Sequence, residues 1–303
     1  MKNRLLFLFT LMFAILPAQK SALKKTINHI TEGKNATVAV SVKGIDFPFE
    51  WHNADGEKKL PMLSVFKFHI ALTVLNEVDQ GKLKLDQRIF IKKSDLLENT
   101  WSPIGEKYPD GNMELPLSEI IRYTVALSDN NGCDILLRLL GGTEKVQQFM
   151  DEKGVKNFQI RYNEEWMHKG KEYLYPNYTT TRSLNHLYKD FYHQKILSPA
   201  STKFLMNVML NTTTGGNKLK EQLPAGTPIA HKTGSSGKEG PLTIAENDSG
   251  IITLPDGQHY AISVFVSDSS ETDAVNNKMI SDISKAVWDY LNAPRQGFFF
   301  HRK

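Results

Sequence analysis

The chain has 303 residues, of which 40% are hydrophobic and 23% are charged, and its formal net charge is +4. This length is enough for one large domain or two interleaved domains, and the near balance of charges, without a long basic run, argues against a nucleic-acid-binding protein. The single cysteine, Cys133, excludes an internal disulfide, and its apolar surroundings predict a buried core residue.

The amino-terminal segment has the pattern of a secretory signal. Lys2 and Arg4 precede an apolar run over residues 5–16. This run is too short to cross a bilayer as a helix. We therefore expect residues 1–18 to be removed by cleavage near Ala18, leaving a periplasmic protein without a membrane anchor.

Along the mature chain, strand patterns at both ends enclose a helical middle. Apolar runs predict the strands Thr37–Val42, Phe47–Trp51, Thr227–Thr233, Gly250–Leu254 and His259–Val266. Apolar residues at helical spacing predict the helices Leu63–Gln80, Leu117–Leu127, Cys133–Leu140, Glu144–Lys153, Thr181–His193, Ser201–Leu210 and Asp273–Leu291.

This order of elements favours an α/β fold of the α+β kind. We predict an antiparallel sheet, flanked by helices and built from both termini, with an inserted all-α domain. The predicted boundaries are residues 19–59 with 216–303 for the sheet domain and residues 60–215 for the helical domain. A cleft between the two domains is the expected substrate site.

Three short motifs follow one another along the chain. They are Ser64-Val65-Phe66-Lys67, Ser128-Asp129-Asn130 and Lys232-Thr233-Gly234. One such motif alone is weak evidence, because Ser21-Ala22-Leu23-Lys24 also fits the first pattern. The set of three is much harder to obtain by chance, and it points to a serine nucleophile.

The first motif has a direct chemical interpretation. A serine hydroxyl needs a base within hydrogen-bond reach before it can attack a carbonyl carbon. Ser64 and Lys67 are three positions apart on a predicted helix, so their side chains share one face. In the first turn of that helix, the backbone N–H groups and the helix dipole can stabilise an oxyanion.

In these motifs, and over nearly the whole mature sequence, the chain resembles a class A serine β-lactamase, and it is similar to the cephalosporin-hydrolysing branch typified by the PER and CfxA types. Further segments that resemble family features are Trp101-Ser102-Pro103 at the cleft mouth, Leu223-Pro224-Ala225-Gly226 before the strand of the third motif, and Thr179-Thr180-Thr181 at the end of the omega loop. Glu164 then occupies the place of the omega-loop glutamate.

The resemblance implies catalytic roles for five residues. Ser64 attacks the β-lactam carbonyl, and Lys67 and Glu164 share the proton-accepting role. Ser128 relays a proton to the departing ring nitrogen, and Glu164 activates the water that hydrolyses the acyl-enzyme. Lys232 acts at the same site.

The resemblance also implies substrate-binding roles. Asn130 holds the side-chain amide of the substrate. Lys232, Thr233 and Ser235 bind the carboxylate of the substrate, and Gly234 lies between Thr233 and Ser235. The backbone N–H groups of Ser64 and Ser235 form the oxyanion hole. Trp101 either stacks on the substrate or closes the cleft edge. The expected partner is a small β-lactam, with no cofactor and no metal ion, and the protein is expected to be a monomer.

Some positions depart from the family pattern. His168 and Asp134 each replace a usual Asn, and Tyr162 and Tyr178, with Asn177 nearby, replace the Arg and Asp that commonly hold the omega loop. We therefore hypothesise that Asp134 bonds the loop backbone and leaves a wider cleft. His168 either orients the water or packs the loop. Ser249 lies near the place of a missing strand arginine, for which Lys218 or Lys220 could substitute.

Two alternatives share parts of this pattern. A penicillin-binding D-Ala-D-Ala peptidase has the three motifs but lacks an efficient deacylating base. A non-catalytic peptidoglycan-binding or signalling module could keep the fold alone. Glu164 favours the lactamase over the peptidase, and intact Ser64, Lys67 and Lys232 argue against the module. The sequence leaves open the breadth of the drug spectrum, the preference between penicillins and cephalosporins, and the sensitivity to inhibitors.

Overall fold

The computed structural model describes residues 21–293, so the signal segment predicted over residues 1–18 lies outside the described residues. A central antiparallel sheet has the strand order β2-β1-β10-β9-β7, with the short strand β8 also paired to β9. The strands are β1 Thr37–Gly44, β2 Glu50–His52, β7 Ile229–Ser235, β8 Lys238–Glu239, β9 Leu242–Thr253 and β10 His259–Ser269. The prediction of an antiparallel sheet drawn from both ends of the chain is confirmed, while the division into domains at residues 59 and 216 stays a prediction.

Helices surround this sheet and fill the middle of the chain. They are α1 over residues 21–31, α2 Phe66–Asp79, α3 Pro103–Lys107, α4 Leu117–Ala126, α5 Asn130–Leu140, α6 Thr143–Glu152, α7 Glu164–Met167, α8 Thr181–Tyr192, α9 Pro199–Leu210 and α10 Asp273–Asn292. Two small ribbons complete the fold: β3 Leu60–Pro61 with β6 Tyr178–Thr179, and β4 Arg88–Ile91 with β5 Met113–Pro116. Among the described residues, no helix combines the length and apolar character needed to cross a bilayer.

Several predicted elements begin at other residues in the structure: β2 begins at Glu50 instead of Phe47, and α5 begins at Asn130 instead of Cys133. The helix predicted from Leu63 is a 3-10 turn, Leu63–Val65, followed by α2, which begins at Phe66. Strand β9 begins at Leu242 instead of Gly250. The early part of β9 carries the buried polar residues 246–249, which interrupt the apolar pattern from which a strand is predicted.

The sheet separates two apolar cores. One core lies between the sheet and the helices of residues 66–210 and includes Phe66, Phe68 and Tyr188. The other lies on the opposite face, where α10 contributes Ile283 and Trp288. Cys133 is fully buried in the first core, as its surroundings predict. Helix α2, which follows the candidate nucleophile, is therefore buried along most of its length and held rigidly.

His69 on α2 gives this core a pH-dependent element. Its ring stacks on Phe158 with the centroids 4.4 Å apart, and burial lowers the pKa of the imidazole from its ordinary 6.5 to about 3. Between these values the unfolded chain binds a proton that the folded chain does not, so the free energy of unfolding falls as the pH is lowered. The slope reaches about 1.4 kcal/mol per pH unit for one such group.

We expect His69→Leu to remove this part of the acid sensitivity. Urea unfolding of both proteins at several pH values between 7 and 4 measures the two slopes. His29, which is exposed on α1, provides the matched control His29→Leu, and this variant should keep the wild-type slope. Equal slopes for His69→Leu and the wild type would contradict the assignment.

Candidate functional site

The candidate nucleophile lies where a tight turn enters a buried helix. Ser64 is the middle residue of the 3-10 turn and is half-buried, and Leu63 before it has a left-handed backbone with φ 47°. A non-glycine residue in this region is strained, and such strain clusters at functional sites. The turn faces strand β7, whose Gly234 lies directly against it.

Lys67 is the centre of the site. Its side chain is fully buried, and its Nζ donates hydrogen bonds to Ser64 Oγ at 2.9 Å, to the Ser128 carbonyl oxygen at 2.8 Å and to Asn130 Oδ1 at 2.5 Å. Glu164 Oε1 lies 2.9 Å from the same nitrogen as an ion-pair partner. One ammonium therefore joins residues from both of the first two motifs to the omega-loop carboxylate.

Glu164 is placed by the backbone of its loop. It begins the short helix α7, whose N-cap, Asn163, accepts a hydrogen bond from the Trp166 N–H. Asp134 accepts hydrogen bonds from the N–H groups of Glu164 at 2.8 Å and Glu165 at 2.9 Å, and from the Asn163 side chain at 3.1 Å. The hypothesis that Asp134 holds this loop by its backbone therefore fits the structure.

The carboxyl of Asp134 is unusual for a surface-loop anchor because it is almost fully buried. Burial, followed by the charge of nearby Glu164, raises its pKa to about 6. Two buried carboxylates thus lie close together, and Lys67 is the cation that faces Glu164.

Asn177 provides a second anchor for the loop. Its Oδ1 accepts hydrogen bonds from the N–H groups of Arg161 at 2.7 Å and Tyr162 at 3.0 Å, and its Nδ2 donates to the Tyr162 carbonyl at 2.7 Å. The side chain is fully buried. Asn177, rather than the Tyr162 and Tyr178 side chains, therefore makes these bonds to the start of the loop. Asparagine is common in loops, so this role cannot be recognised from the residue type alone.

Ser128 lies in the connection between α4 and α5, as predicted, and its backbone is left-handed with φ 59°. This conformation turns its carbonyl oxygen to Lys67 and its hydroxyl to Lys232, whose Nζ donates to Ser128 Oγ at 2.8 Å. Asp129 caps α5 by accepting from the Gly132 N–H at 2.8 Å. Burial raises the pKa of Asp129, although it accepts from Ile104 N–H and Ser102 as well.

Lys232 extends from strand β7 into the same space. It is fully buried, and burial, followed by the charge of Lys67, holds the pKa of its ammonium well below the ordinary range. Besides Ser128, it donates to the Thr233 carbonyl at 2.9 Å. The hydrogen bond from Lys232 to Ser128 therefore joins the third motif to the second. This contact agrees with the expectation that the two motifs line opposite sides of one cleft.

The hydroxyls of Thr233 and Ser235 have partners within the protein. Thr233 Oγ1 lies 2.7 Å from Thr214 Oγ1, and Ser235 Oγ donates to Glu246 Oε2 at 2.7 Å. Lys218 also contacts Glu246, and both of these side chains are buried. Ser249 instead bonds the hydroxyl of Tyr188 at 3.0 Å. Neither Glu246 nor Thr214 was predicted from the sequence. Strand pairing brings Glu246 opposite Ser235, and Thr214 lies in the loop after α9.

The remaining predicted residues are more exposed than Lys67 and Lys232. Trp101 is 56% exposed, and its Nε1 donates to the Leu127 carbonyl at 2.8 Å, so its indole is held at the surface near the second motif. Asn130 Nδ2 donates to Thr100 at 2.8 Å. His168 and Lys220 are exposed, and both roles offered for His168, orienting the water and packing the loop, stay predictions.

Gly234 explains how closely the strand approaches the nucleophile. A Cβ built on Gly234 would lie 2.4 Å from the Met62 carbonyl oxygen and 3.2 Å from the Ser64 nitrogen. Since backbone atoms cannot move aside cheaply, any larger residue displaces β7 from the Ser64 turn.

We expect Gly234→Ala to lower kcat/KM by about 10²-fold, the range for loss of one oxyanion donor. Steady-state turnover of a chromogenic cephalosporin by the variant and the wild type measures this fall in kcat/KM. Gly237→Ala is the matched control, because a Cβ at Gly237 meets no atom within 4 Å. Gly237 has φ 66°, so thermal unfolding of both variants must accompany the rates. Wild-type activity in Gly234→Ala would show that the close approach is not needed.

The arrangement as a whole suits acyl transfer by a serine. The Ser64 hydroxyl and the Glu164 carboxylate both contact Lys67, and a second buried amine, that of Lys232, contacts the Ser128 hydroxyl. These are the groups that such chemistry requires. Within residues 21–293, no group of three or more His, Cys, Asp or Glu side chains could hold a metal ion.

The chain is similar in sequence and structure to several known β-lactamases. A sequence model of the β-lactamase enzyme family matches residues 22–291. β-Lactamase VEB-1 of Pseudomonas aeruginosa is 45% identical over 298 residues, which cover 95% of this chain and 97% of the relative. Extended-spectrum β-lactamase PER-1 of Pseudomonas aeruginosa is 39% identical over 280 residues, covering 90% and 88%. The crystal structure of TLA-3 extended-spectrum β-lactamase matches with 50% identity and a TM-score of 0.88, covering 90% of this chain and 99% of that chain.

Proposed function

Since this chain belongs to the class A β-lactamase family and hydrolyses β-lactams, we propose that Ser64 carries the reaction through a covalent acyl-enzyme. The observation that supports this most strongly is the position of Lys67, whose Nζ lies 2.9 Å from Ser64 Oγ and 2.9 Å from Glu164 Oε1. A nucleophile and a candidate base are then within hydrogen-bond reach, and a second base touches the first.

Acylation begins with removal of the Ser64 proton. In the resting arrangement the three hydrogen bonds donated by Lys67 use all the protons of an ammonium, one of them toward Ser64. Lys67 can accept the Ser64 proton only after losing one of its own, and Glu164 is the contacting carboxylate that can take it. Ser64 Oγ then bonds the lactam carbonyl carbon, and the C–N bond of the ring breaks as Ser128 gives its proton to the nitrogen.

Lys232 supports the Ser128 step. It donates to Ser128 Oγ, and this hydrogen bond stabilises the oxygen as the hydroxyl gives up its proton. Lys67 then returns a proton to Ser128 through the same cluster, and Glu164 gives back to Lys67 the proton that it took. Glu164 is then again a carboxylate and can accept a proton from water.

Deacylation uses Glu164 as the general base. A water between Glu164 and the ester carbonyl loses its proton to the carboxylate as its oxygen attacks, and Ser64 leaves with a proton from Lys67. Glu164 then passes its new proton to Lys67, which it contacts, and the starting arrangement is restored. The backbone N–H groups of Ser64 and Ser235 stabilise the oxyanion in both steps. The Asp134 hydrogen bonds fix the Glu164 backbone and hence the position of this water.

The proposed substrates are cephalosporins and penicillins, and their hydrolysis gives antibiotic resistance. Asn130 and Trp101 border the side-chain end of the substrate, while Lys232, Thr233 and Ser235 face its carboxylate, with Gly234 between them. PER-1 and TLA-3 are both named extended-spectrum β-lactamases, which supports oxyimino cephalosporins as substrates. We further propose a monomer secreted to the periplasm after cleavage near Ala18.

Incubation of residues 19–303 with a chromogenic cephalosporin tests the function. A hydrolase releases many equivalents of product per enzyme and regains its unmodified mass when substrate is exhausted. A penicillin-binding peptidase would stop after one equivalent, with the drug attached to Ser64 in the intact mass. A non-catalytic module would give neither product nor adduct.

A further inference from the structure

A buried carboxylate lies beside the groups proposed to receive the substrate carboxylate. Glu246 on β9 is directly opposite Ser235 of β7 in the sheet register. It is only 5% exposed. Its Oε2 accepts the Ser235 hydroxyl at 2.7 Å, and its Oε1 contacts the Lys218 ammonium. Glu246 therefore already holds two groups that an incoming anion would need.

The Ser235 hydroxyl has one proton to donate. While that proton is given to Glu246, the hydroxyl offers a substrate anion only its lone pairs, which repel it. Substrate binding through Ser235 thus requires that the hydrogen bond to Glu246 be broken or shared.

Glu246 also pairs with the charge of Lys218. The side chain of Lys218 is 6% exposed, and it follows the segment in which Gly215 lies against Thr233: a Cβ at Gly215 would meet Thr233 Cγ2 at 2.5 Å and Lys218 Cδ at 3.5 Å. The cation is therefore close to the carboxylate-binding threonine, but its charge is directed to Glu246. A buried pair of this kind is weakly screened by salt.

We propose that Glu246 is a specificity-determining residue that competes with the substrate carboxylate for Ser235 and Lys218, and so weakens ground-state binding of anionic β-lactams. This inference rests on the proposed function, because it assumes that the substrate carboxylate lies against Thr233 and Ser235. Ground-state binding that is equally present in the transition state appears in KM and not in kcat.

The test is Glu246→Gln, which keeps the side-chain size and removes the charge. We expect KM for an anionic chromogenic cephalosporin to fall about tenfold, with kcat changing less than KM. For the same cephalosporin with its carboxylate esterified, KM should stay within about twofold of the wild type. Glu221→Gln, at an exposed position three residues from Lys218, is the matched control for loss of one negative charge.

A second comparison covers the case in which Glu246→Gln does not fold. Lys218→Met leaves the Glu246 carboxylate without its cation, and the double variant Lys218→Met with Glu246→Gln removes both charges. The double variant should have the lower KM of the two for the anionic drug and the same KM for the ester. Thermal unfolding identifies which variants are folded.

The outcomes separate this inference from the proposed function. An unchanged or raised KM for the anionic drug in Glu246→Gln, or an equal change in KM for drug and ester, would overturn the role of Glu246. Neither result would affect the proposed function, which depends on turnover by the wild type. Absence of turnover by the wild type would instead overturn the proposed function itself.

Discussion

Glu164→Gln is expected to stop the reaction after acylation. The amide keeps the shape of the carboxylate but cannot accept a proton from water, so the ester on Ser64 persists. General-base catalysis is worth about 10²–10⁴ in rate, and deacylation should slow by this factor. Intact mass after mixing with a cephalosporin should show one drug equivalent per chain, and product release should fall to a single burst.

Glu165→Gln is the matched control for this variant. Glu165 is the next residue along the chain, it is exposed, and its carboxylate pairs with Lys169 at 3.3 Å instead of reaching Lys67. Turnover should therefore stay near the wild-type rate. If Glu164→Gln turned over normally and Glu165→Gln accumulated the adduct, the deacylating base would be the neighbouring residue.

Much of the fold can be read from the sequence because burial follows periodicity. Strands β1 and β10 pair along their whole length, and their apolar residues face a core on each side of the sheet. The first half of β9 could not be predicted in this way. Its buried residues Glu246, Asn247 and Asp248 are polar and bond to partners outside the strand, among them the Met62 carbonyl, which accepts from Asn247.

Some residues of the site could likewise be predicted from the sequence, and others could not. Ser64, Lys67, Ser128 and Lys232 belong to motifs with fixed spacing, and each lies where its motif predicts, within hydrogen-bond reach of another. Glu246 belongs to no motif. The hairpin turn at Gly240-Pro241 was the available signal, because counting outward from this turn places Glu246 opposite Ser235.

The omega loop shows why the anchors are harder to predict than the catalytic groups. Asp134 and Asn177 act by accepting hydrogen bonds from backbone N–H groups. Any carboxylate or amide at the right place can do this, so the residue type alone carries little information. The backbone positions, by contrast, are set by tertiary packing. The sequence therefore predicts the candidate catalytic groups more completely than the residues that hold them in place.

Lys67→Met is expected to fail at the opposite step from Glu164→Gln. The methionine fills a similar volume but offers no proton acceptor to Ser64, so acylation should slow by about 10²–10⁴ and no adduct should accumulate. Stopped-flow measurement of the first turnover separates this from slow deacylation. Because removal of one member of a buried ion pair costs about 3–5 kcal/mol, the folded fraction must be measured by circular dichroism in the same buffer.

Lys24→Met supplies the control, since Ser21-Ala22-Leu23-Lys24 has the same spacing as the catalytic motif and Lys24 is exposed on α1. This variant should acylate and turn over at the wild-type rate. The pair of variants thus asks whether the Ser-x-x-Lys spacing matters by itself or only where the lysine is buried against Glu164. Normal acylation by folded Lys67→Met would mean that Glu164 alone, acting through water, deprotonates Ser64, and Lys67 would then be a positioning residue for Asn130 and the Ser128 carbonyl.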